Sequence, residues 1–213
     1  MDSLIPTLAI SVLPVIFAIT LHEAAHGYVA RYFGDNTAWQ MGRISLNPIR
    51  HIDPVGTILV PLLSYALGGI LFGWAKPVPV NFGRLRHPKK DMLWVALAGP
   101  AVNLLMALGW ALLLKMMALA PDFDYRAALV GMARVGIGIN GSLMILNLLP
   151  MPPLDGGRIM VSLLPMKAAL KFAQLERYGL FILLGLLYFG GLEKIMRPLL
   201  ALFYAVLTSV FSF

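Results

Sequence analysis

Residues 4–33 read LIPTLAISVLPVIFAITLHEAAHGYVARYF, an apolar stretch with ionisable residues only in its second half. Its first 18 residues carry no charge, and a helix of about 20 apolar residues crosses a bilayer. His22, Glu23 and His26 then interrupt the run. At about 1.5 Å per residue, His22 lies roughly 27 Å from the start of the helix, so we expect it deep in the membrane.

The composition of the whole chain indicates a membrane protein. Of 213 residues, 59% are hydrophobic and 13% are charged, whereas soluble domains average about 45–50% and about 25%. A water-soluble core cannot bury so much apolar surface, which excludes an ordinary soluble enzyme, a disordered protein and a DNA-binding domain. The net charge is +7, and most of the basic residues stand between the apolar runs. This placement indicates membrane topology rather than nucleic-acid binding. The chain has no cysteine, so a metal site must use other ligands.

The hydropathy pattern predicts an all-α membrane protein, a polytopic helical bundle with about five to six transmembrane helices. A further stretch, residues 54–72, is uncharged but broken by Pro61 and by two adjacent glycines. We interpret it as a re-entrant segment rather than a full crossing, since irregular backbone is tolerated where protein covers it; a single crossing stays the alternative. The clear apolar blocks are residues 4–33, 92–120, 127–149, 178–192 and 198–213.

The links between the blocks differ in charge. Residues 73–91 contain five Lys or Arg and one Asp, residues 156–177 contain four Lys or Arg and one Glu, and residues 121–126 are slightly acidic. Short basic links stay on the cytoplasmic side. We therefore expect a multi-pass protein of the cell membrane with 73–91 and 156–177 inside and 121–126 outside.

The HEAAH stretch at 22–26 is an H-E-x-x-H motif. His22 and His26 share one face of a helix, so both imidazoles can bind one metal ion, and neutral imidazoles suit Zn²⁺. Glu23 projects near that face, where it could accept a proton from metal-bound water. A chance pair of histidines is the alternative. It is disfavoured because three ionisable groups in an apolar helix are costly unless they are paired or bind a metal.

A third ligand is required, and the candidate is Asp155 within NLLPMPPLDGGR at 147–158. Three prolines end the preceding helix, and the two glycines after the aspartate allow a tight turn. The carboxylate is therefore expected at the end of a span, on the side where His26 lies. The alternative is a loop aspartate that only caps a helix.

Together these motifs resemble the site-2 protease family of intramembrane zinc metalloproteases, and most closely its short forms without an appended PDZ or CBS domain. The resemblance covers most of residues 15–160, and the two C-terminal blocks carry no matching motif. The matching pieces are HEAAHG at 22–27, NPIRHIDPVGT at 47–57, FGWAKPVPVN at 72–81, ALAGPAVNLLMAL at 96–108 and NLLPMPPLDGGR at 147–158.

The resemblance implies roles for particular residues. His22, His26 and Asp155 would be the ligands of one Zn²⁺ per chain, and Glu23 would be the general base. Asn147 would lie near the metal and help to hold the substrate or the oxyanion, a role that suits a neutral amide donor. A hydrogen bond between helices is the other interpretation of Asn147.

Two further features are interpreted with the resemblance in mind. Asn103 follows a Gly-Pro pair, and we interpret it as a packing residue. Residues 73–81 would be an edge strand near the active site that pairs with an unwound substrate, or else an interfacial loop. Pro77 and Pro79 have no N–H group, so only part of such an edge could pair.

The resemblance implies an enzyme that hydrolyses peptide bonds in or near transmembrane segments of membrane-protein substrates, by zinc-activated water and a glutamate base. The expected partners are a transmembrane protein substrate and the lipid bilayer, with no nucleic acid; the sequence does not predict an oligomeric state. Residues 1–213 would form a single integral-membrane peptidase domain, with a catalytic core at about 4–160, additional helices at about 176–213 and an active site nearer the cytoplasm. The alternatives are a divalent-metal transporter and an inactive relative that binds membrane helices.

Overall fold

The computed structural model describes residues 4–60, 62–63 and 73–212. Within these ranges the chain consists of helices and loops and has no β-strand. The chain between residues 41 and 87 contains two 3-10 turns, at Pro48–His51 and Phe82–Arg84, and one π-helical turn at Pro54–Leu59. The α-helices are α1 (Leu4–Tyr32), α2 (Thr37–Gln40), α3 (Pro88–Leu119), α4 (Arg126–Leu148), α5 (Asp155–Leu163), α6 (Met166–Ala173), α7 (Glu176–Tyr188) and α8 (Gly191–Phe211).

Four of the described helices are long and apolar enough to cross a membrane: residues Ala9–Tyr32 of α1, and all of α3, α4 and α8. This confirms the predicted all-α membrane protein. The apolar block 178–192 forms α7, whose 13 residues extend only about 20 Å. Residues 64–72 lie outside the described residues. The count of five to six spans and the re-entrant segment therefore stay predictions.

Helix α3 begins four residues before the predicted block. Pro88 occupies its first turn, where the missing N–H group of proline costs nothing. The carboxylate of Asp91 then accepts a hydrogen bond from the backbone N–H of His87, at 2.7 Å, and so caps the helix. The basic link thus ends in a helical turn that continues directly into the span.

The core of the bundle is formed by α1, α3 and α4, which pack side by side. Helix α5 lies against α3, α8 packs on the outside of α4 and α3, and α7 contacts α8. Small residues let membrane helices approach closely, so that polar side chains between them can meet. The fully buried small residues of the core include Ala18, Ala24, Ala30, Ala96, Ala107, Ala111 and Ala133.

The two basic links meet at one end of the bundle. The Nζ atom of Lys89, at the start of α3, donates a hydrogen bond to the carbonyl of Leu164, between α5 and α6. The slightly acidic link 121–126 joins the opposite ends of α3 and α4. This arrangement agrees with the predicted topology, in which both basic links lie on one side of the membrane; the assignment of that side to the cytoplasm stays a prediction.

Candidate metal centre

Helix α1 provides two imidazoles that face the same point. His22 and His26 are one helical turn apart, and both are buried between α1 and α3. Their Nε2 atoms lie 3.1 Å from each other. At about 1.5 Å per residue, His22 is roughly 15 Å along the helix from Tyr32, so the pair lies inside the span rather than at its end.

The carboxylate of Asp155 meets this pair. Its Oδ2 atom is 3.3 Å from the Nε2 atom of His22 and 3.3 Å from that of His26. Within the described part of the chain, these three side chains form the group of His, Asp and Glu residues that could hold a metal ion. The structure therefore brings together the three residues whose types and spacing suggested a ligand set, across 133 positions of sequence between His22 and Asp155.

The two glycines after Asp155 do not form the tight turn that we predicted there. Asp155 is the first residue of α5, and the turn lies before it, in the proline-rich segment, rather than after it. Gly156 and Gly157 are buried helical residues. A Cβ atom on Gly156 would lie 2.1 Å from the carbonyl oxygen of Leu149. Glycine is needed here because the first turn of α5 packs directly on the backbone that precedes it.

The hydrogen bonds of the imidazoles determine which ring nitrogen is free. His26 donates from Nδ1 to the carbonyl of Val95 at 2.7 Å, and His22 donates from Nδ1 to Oδ1 of Asn103 at 2.5 Å. In the neutral rings both Nε2 atoms therefore carry lone pairs. The buried Oδ2 atom of Asp155 has no hydrogen-bond partner among the described residues. Three possible acceptor atoms thus face one another, an arrangement that a cation bound between them would satisfy.

The dimensions of the group suit zinc. Tetrahedral zinc with bonds of about 2.0–2.1 Å separates its ligand atoms by about 3.3–3.4 Å, and the observed separations are 3.1–3.3 Å. Space beside the imidazoles is left by Gly99 of α3, where a Cβ atom would lie 2.5 Å from Cε1 of His22 and from Nε2 of His26. The donor set of two nitrogens and one oxygen is also typical of zinc. The residues therefore fit this ion.

Asn103 has a more specific role than the packing we predicted, because its amide forms hydrogen bonds to other helices. Its Nδ2 atom donates to the carbonyl of Ala18, at 3.3 Å, and to Oδ1 of Asn140, at 2.9 Å. Asn140 in turn donates to the carbonyl of Gly136 at 2.8 Å. Because a carbonyl can only accept, both amides have one orientation, and Oδ1 of Asn103 must face His22. The sequence held one signal for this contact, since Asn103 is one turn after Gly99 on α3.

Glu23 is held by segment 73–81. Its Oε2 atom accepts a hydrogen bond from the backbone N–H of Val78 at 2.7 Å. Arg43 Nη2 donates to the carbonyls of Lys76 and Pro77, at 3.1 and 3.3 Å. The segment belongs to no helix or strand in the described residues. It therefore positions the carboxylate of Glu23, and whether it also pairs with a substrate stays a prediction.

Asn147 is half-buried near the end of α4. Its Nδ2 atom donates to the carbonyl of Leu143, one turn earlier in the same helix, at 3.0 Å. This bond lies within α4, so it is neither the interhelical bond nor the substrate contact that the sequence suggested. The amide keeps a second N–H and its oxygen for other partners.

Comparisons with known proteins agree with this site. The model of "Peptidase family M50" matches residues 124–189. The chain is 41% identical over 185 residues to "Putative zinc metalloprotease YwhC" of Bacillus subtilis, covering 85% of this chain and 80% of that protein. It is 32% identical over 180 residues to "Putative zinc metalloprotease Rip2" of Mycolicibacterium smegmatis, covering 84% and 66%. The search of solved structures gave no significant match.

Proposed function

This chain belongs to peptidase family M50, the site-2 protease family, and from that premise we propose that it cleaves peptide bonds in or near transmembrane segments of other membrane proteins. It is a multi-pass membrane protein and a metalloprotease of that family. The observation that carries the proposal is the convergence of His22, His26 and Asp155 inside the span, with three acceptor atoms 3.1–3.3 Å apart.

In this proposal His22, His26 and Asp155 hold one zinc ion per chain. A zinc ion bound there would polarise the scissile carbonyl and lower the pKa of water, which makes hydroxide available near neutral pH. The hydrogen bonds from the two Nδ1 atoms keep both rings in the tautomer that binds metal through Nε2.

Glu23 is the proposed general base. Its carboxylate accepts a proton from the attacking water as the water oxygen bonds to the peptide carbonyl carbon, and passes that proton to the amide nitrogen as the C–N bond breaks. The second water proton stays on the new carboxyl group, so the products are a carboxylic acid and an amine, which ionise to a carboxylate and an ammonium group in water. The bond from Val78 aims the carboxylate before substrate arrives. Asn147 retains one N–H that can stabilise negative charge on the carbonyl oxygen.

The location of the group determines what the substrate must do. The metal site lies roughly 15 Å from the end of α1, so a substrate segment has to enter between helices and unwind there. Segment 73–81 contacts Glu23 through Val78, and its main-chain groups would pair with an unwound substrate, as in β-augmentation. We place the enzyme in the cell membrane, with water entering from the side of the basic links, and treat residues 1–213 as one peptidase domain.

The test uses purified protein in liposomes with a transmembrane substrate. Glu23→Gln should retain one zinc per chain but lose cleavage by at least 100-fold, since general-base catalysis contributes about 10²–10⁴. His22→Ala and Asp155→Ala should lose both zinc and cleavage. Full cleavage by Glu23→Gln would overturn the assignment of the base, and zinc retention by Asp155→Ala would remove the third ligand.

A further inference from the structure

At the far end of the bundle from the metal centre, a cleft of about 590 Å³ lies between α3, α4 and α8. Its wall on α3 is formed by Leu114 and Ala118, and Leu114 is about 22 Å along that helix from Gly99. The other walls come from α4 and α8 and include Arg126, Val130, Arg134 and Tyr204. The cleft is apolar except for the two arginines and the tyrosine.

Arg134 is a charged residue within a candidate span. It is eight residues after the start of α4, which is about 12 Å along the helix. Among the described residues it makes no ion pair or hydrogen bond. Arg126, by contrast, is 3.9 Å from the carboxylate of Asp122 and donates to the carbonyl of Met117 at 2.8 Å. The side chain of Arg134 is exposed on the surface of the described chain. Charged side chains inside a bilayer are costly unless paired, so an anionic partner from outside the described residues would stabilise Arg134.

A second polar group of the cleft also lacks a partner. The hydroxyl of Tyr204 lies beside Gly138, where a Cβ atom would be 3.2 Å from the hydroxyl oxygen. Gly138 is one helical turn after Arg134, on the same face of α4. No other described residue forms a hydrogen bond with this hydroxyl. The guanidinium and the hydroxyl are therefore two donors, one turn apart, that face the same apolar cleft.

We propose that this cleft binds one anionic phospholipid, whose phosphate accepts hydrogen bonds from Arg134 and Tyr204. Arg126 already has Asp122 as an ion-pair partner at 3.9 Å, so Arg134 is the cation of the cleft without a described partner, and its single positive charge matches a singly charged phosphodiester. Leu114, Ala118 and Val130 provide an apolar surface for the acyl chains. The cleft has the volume of an ordinary small-molecule site, and the bilayer places lipid beside it at high local concentration.

Native mass spectrometry of the detergent-purified protein tests the proposal directly. The protein is titrated with phosphatidylglycerol and, separately, with phosphatidylcholine of the same chains. We expect phosphatidylglycerol to bind at least tenfold tighter, and Arg134→Gln to weaken its binding about tenfold because a charge-assisted hydrogen bond is lost. Tyr204→Phe should weaken it about threefold. Lys115→Gln is the matched control: it removes a basic residue at the same end of α3 that does not line the cleft, and binding should not change.

A second measurement does not depend on mass spectrometry. The indole of Trp110 packs against Gly136 of α4, close to the cleft. In a variant that keeps Trp110 as the only tryptophan, brominated phosphatidylglycerol should quench its fluorescence more strongly than brominated phosphatidylcholine, and Arg134→Gln should remove the difference.

Several results would overturn the proposal. Equal binding of the two lipids would mean that the cleft makes only nonspecific apolar contacts. Unchanged binding by Arg134→Gln, in a variant that melts at the wild-type Tm and keeps its zinc, would remove the arginine from the site. Displacement of the lipid by glycerol 3-phosphate at equal concentration would assign the site to a water-soluble anion instead.

Discussion

The Nδ1 atom of His22 lies 2.5 Å from the Oδ1 atom of Asn103, although the two residues are 81 positions apart in the chain. Both side chains are buried, and Asn103 has no exposed surface. Its amide is held in turn by Ala18 and Asn140. The contact orients one imidazole of the proposed metal site from α3, while the other imidazole is oriented by the carbonyl of Val95 on the same helix.

Asn103→Ala should therefore weaken zinc binding by about 10–100-fold, the usual effect of losing such a partner of a ligating histidine. Asn140→Leu breaks the next bond of the chain but not the contact to His22, so it should have a smaller effect. Zinc affinity is measured by competition with a chelator, and the absorption spectrum of the Co²⁺-substituted protein reports ligand geometry. If Asn103→Ala binds zinc as tightly as wild type and gives the same spectrum, Asn103 does not position His22.

Gly99→Ala should abolish metal binding without unfolding the bundle. The added Cβ atom would lie 2.5 Å from both imidazoles, so the rings must move or α3 must shift away from α1. We expect at least a 100-fold loss of cleavage and a clear loss of zinc. The matched control is Gly109→Ala on the same helix, where a Cβ atom meets nothing within 4 Å; alanine there should be neutral or slightly stabilising. Equal behaviour of the two variants would contradict the close approach at Gly99.

The sequence predicted the parts of this molecule that depend on local pattern. Apolar runs of sufficient length predicted the spans that form α3, α4 and α8, and the H-E-x-x-H spacing predicted that His22 and His26 share a face. The pairing of that motif with Asp155 came from the need for a third ligand and from the proline- and glycine-rich stretch at 147–158, and no local rule fixed the distance between residues so far apart in the chain.

The remaining features depend on which helices pack together, and a single sequence does not contain that information. Asn103 was interpreted as a packing residue because its partners, His22 and Asn140, lie on two other helices. The role of Val78 was missed for the same reason. Arg134 lies inside an apolar block of the sequence. Its lack of a partner among the described residues is visible only once the structure shows which side chains surround it.

Val78→Pro should reduce cleavage while leaving zinc binding unchanged. Proline removes the backbone N–H that donates to Glu23 at 2.7 Å, and the following Pro79 already favours an extended backbone at this position. The carboxylate would then lose the bond that aims it, and we expect about a tenfold fall in kcat with little change in KM. Val78→Ala keeps the N–H and loses only side-chain packing, so it should stay close to wild type. Equal losses in the two variants would show that the side chain matters and the hydrogen bond does not.

Removal of the metal from His22, His26 and Asp155 should lower the free energy of unfolding. A ligand that binds only the folded state stabilises it by RT ln(1 + [L]/Kd), about 4 kcal/mol at a thousand times Kd. Without a cation, the two Nε2 atoms and Oδ2 of Asp155 face one another as acceptors between α1 and α5. A chelator should therefore lower the Tm of the wild-type protein in detergent, and added zinc should restore it. Asp155→Asn should melt at a Tm that responds little to either treatment, whereas Asp122→Asn, which removes an exposed carboxylate from the distant link, should behave as wild type. The contrary result is a wild-type Tm that stays unchanged after a chelator has demonstrably removed the zinc. It would mean that the metal does not hold α5 against the bundle.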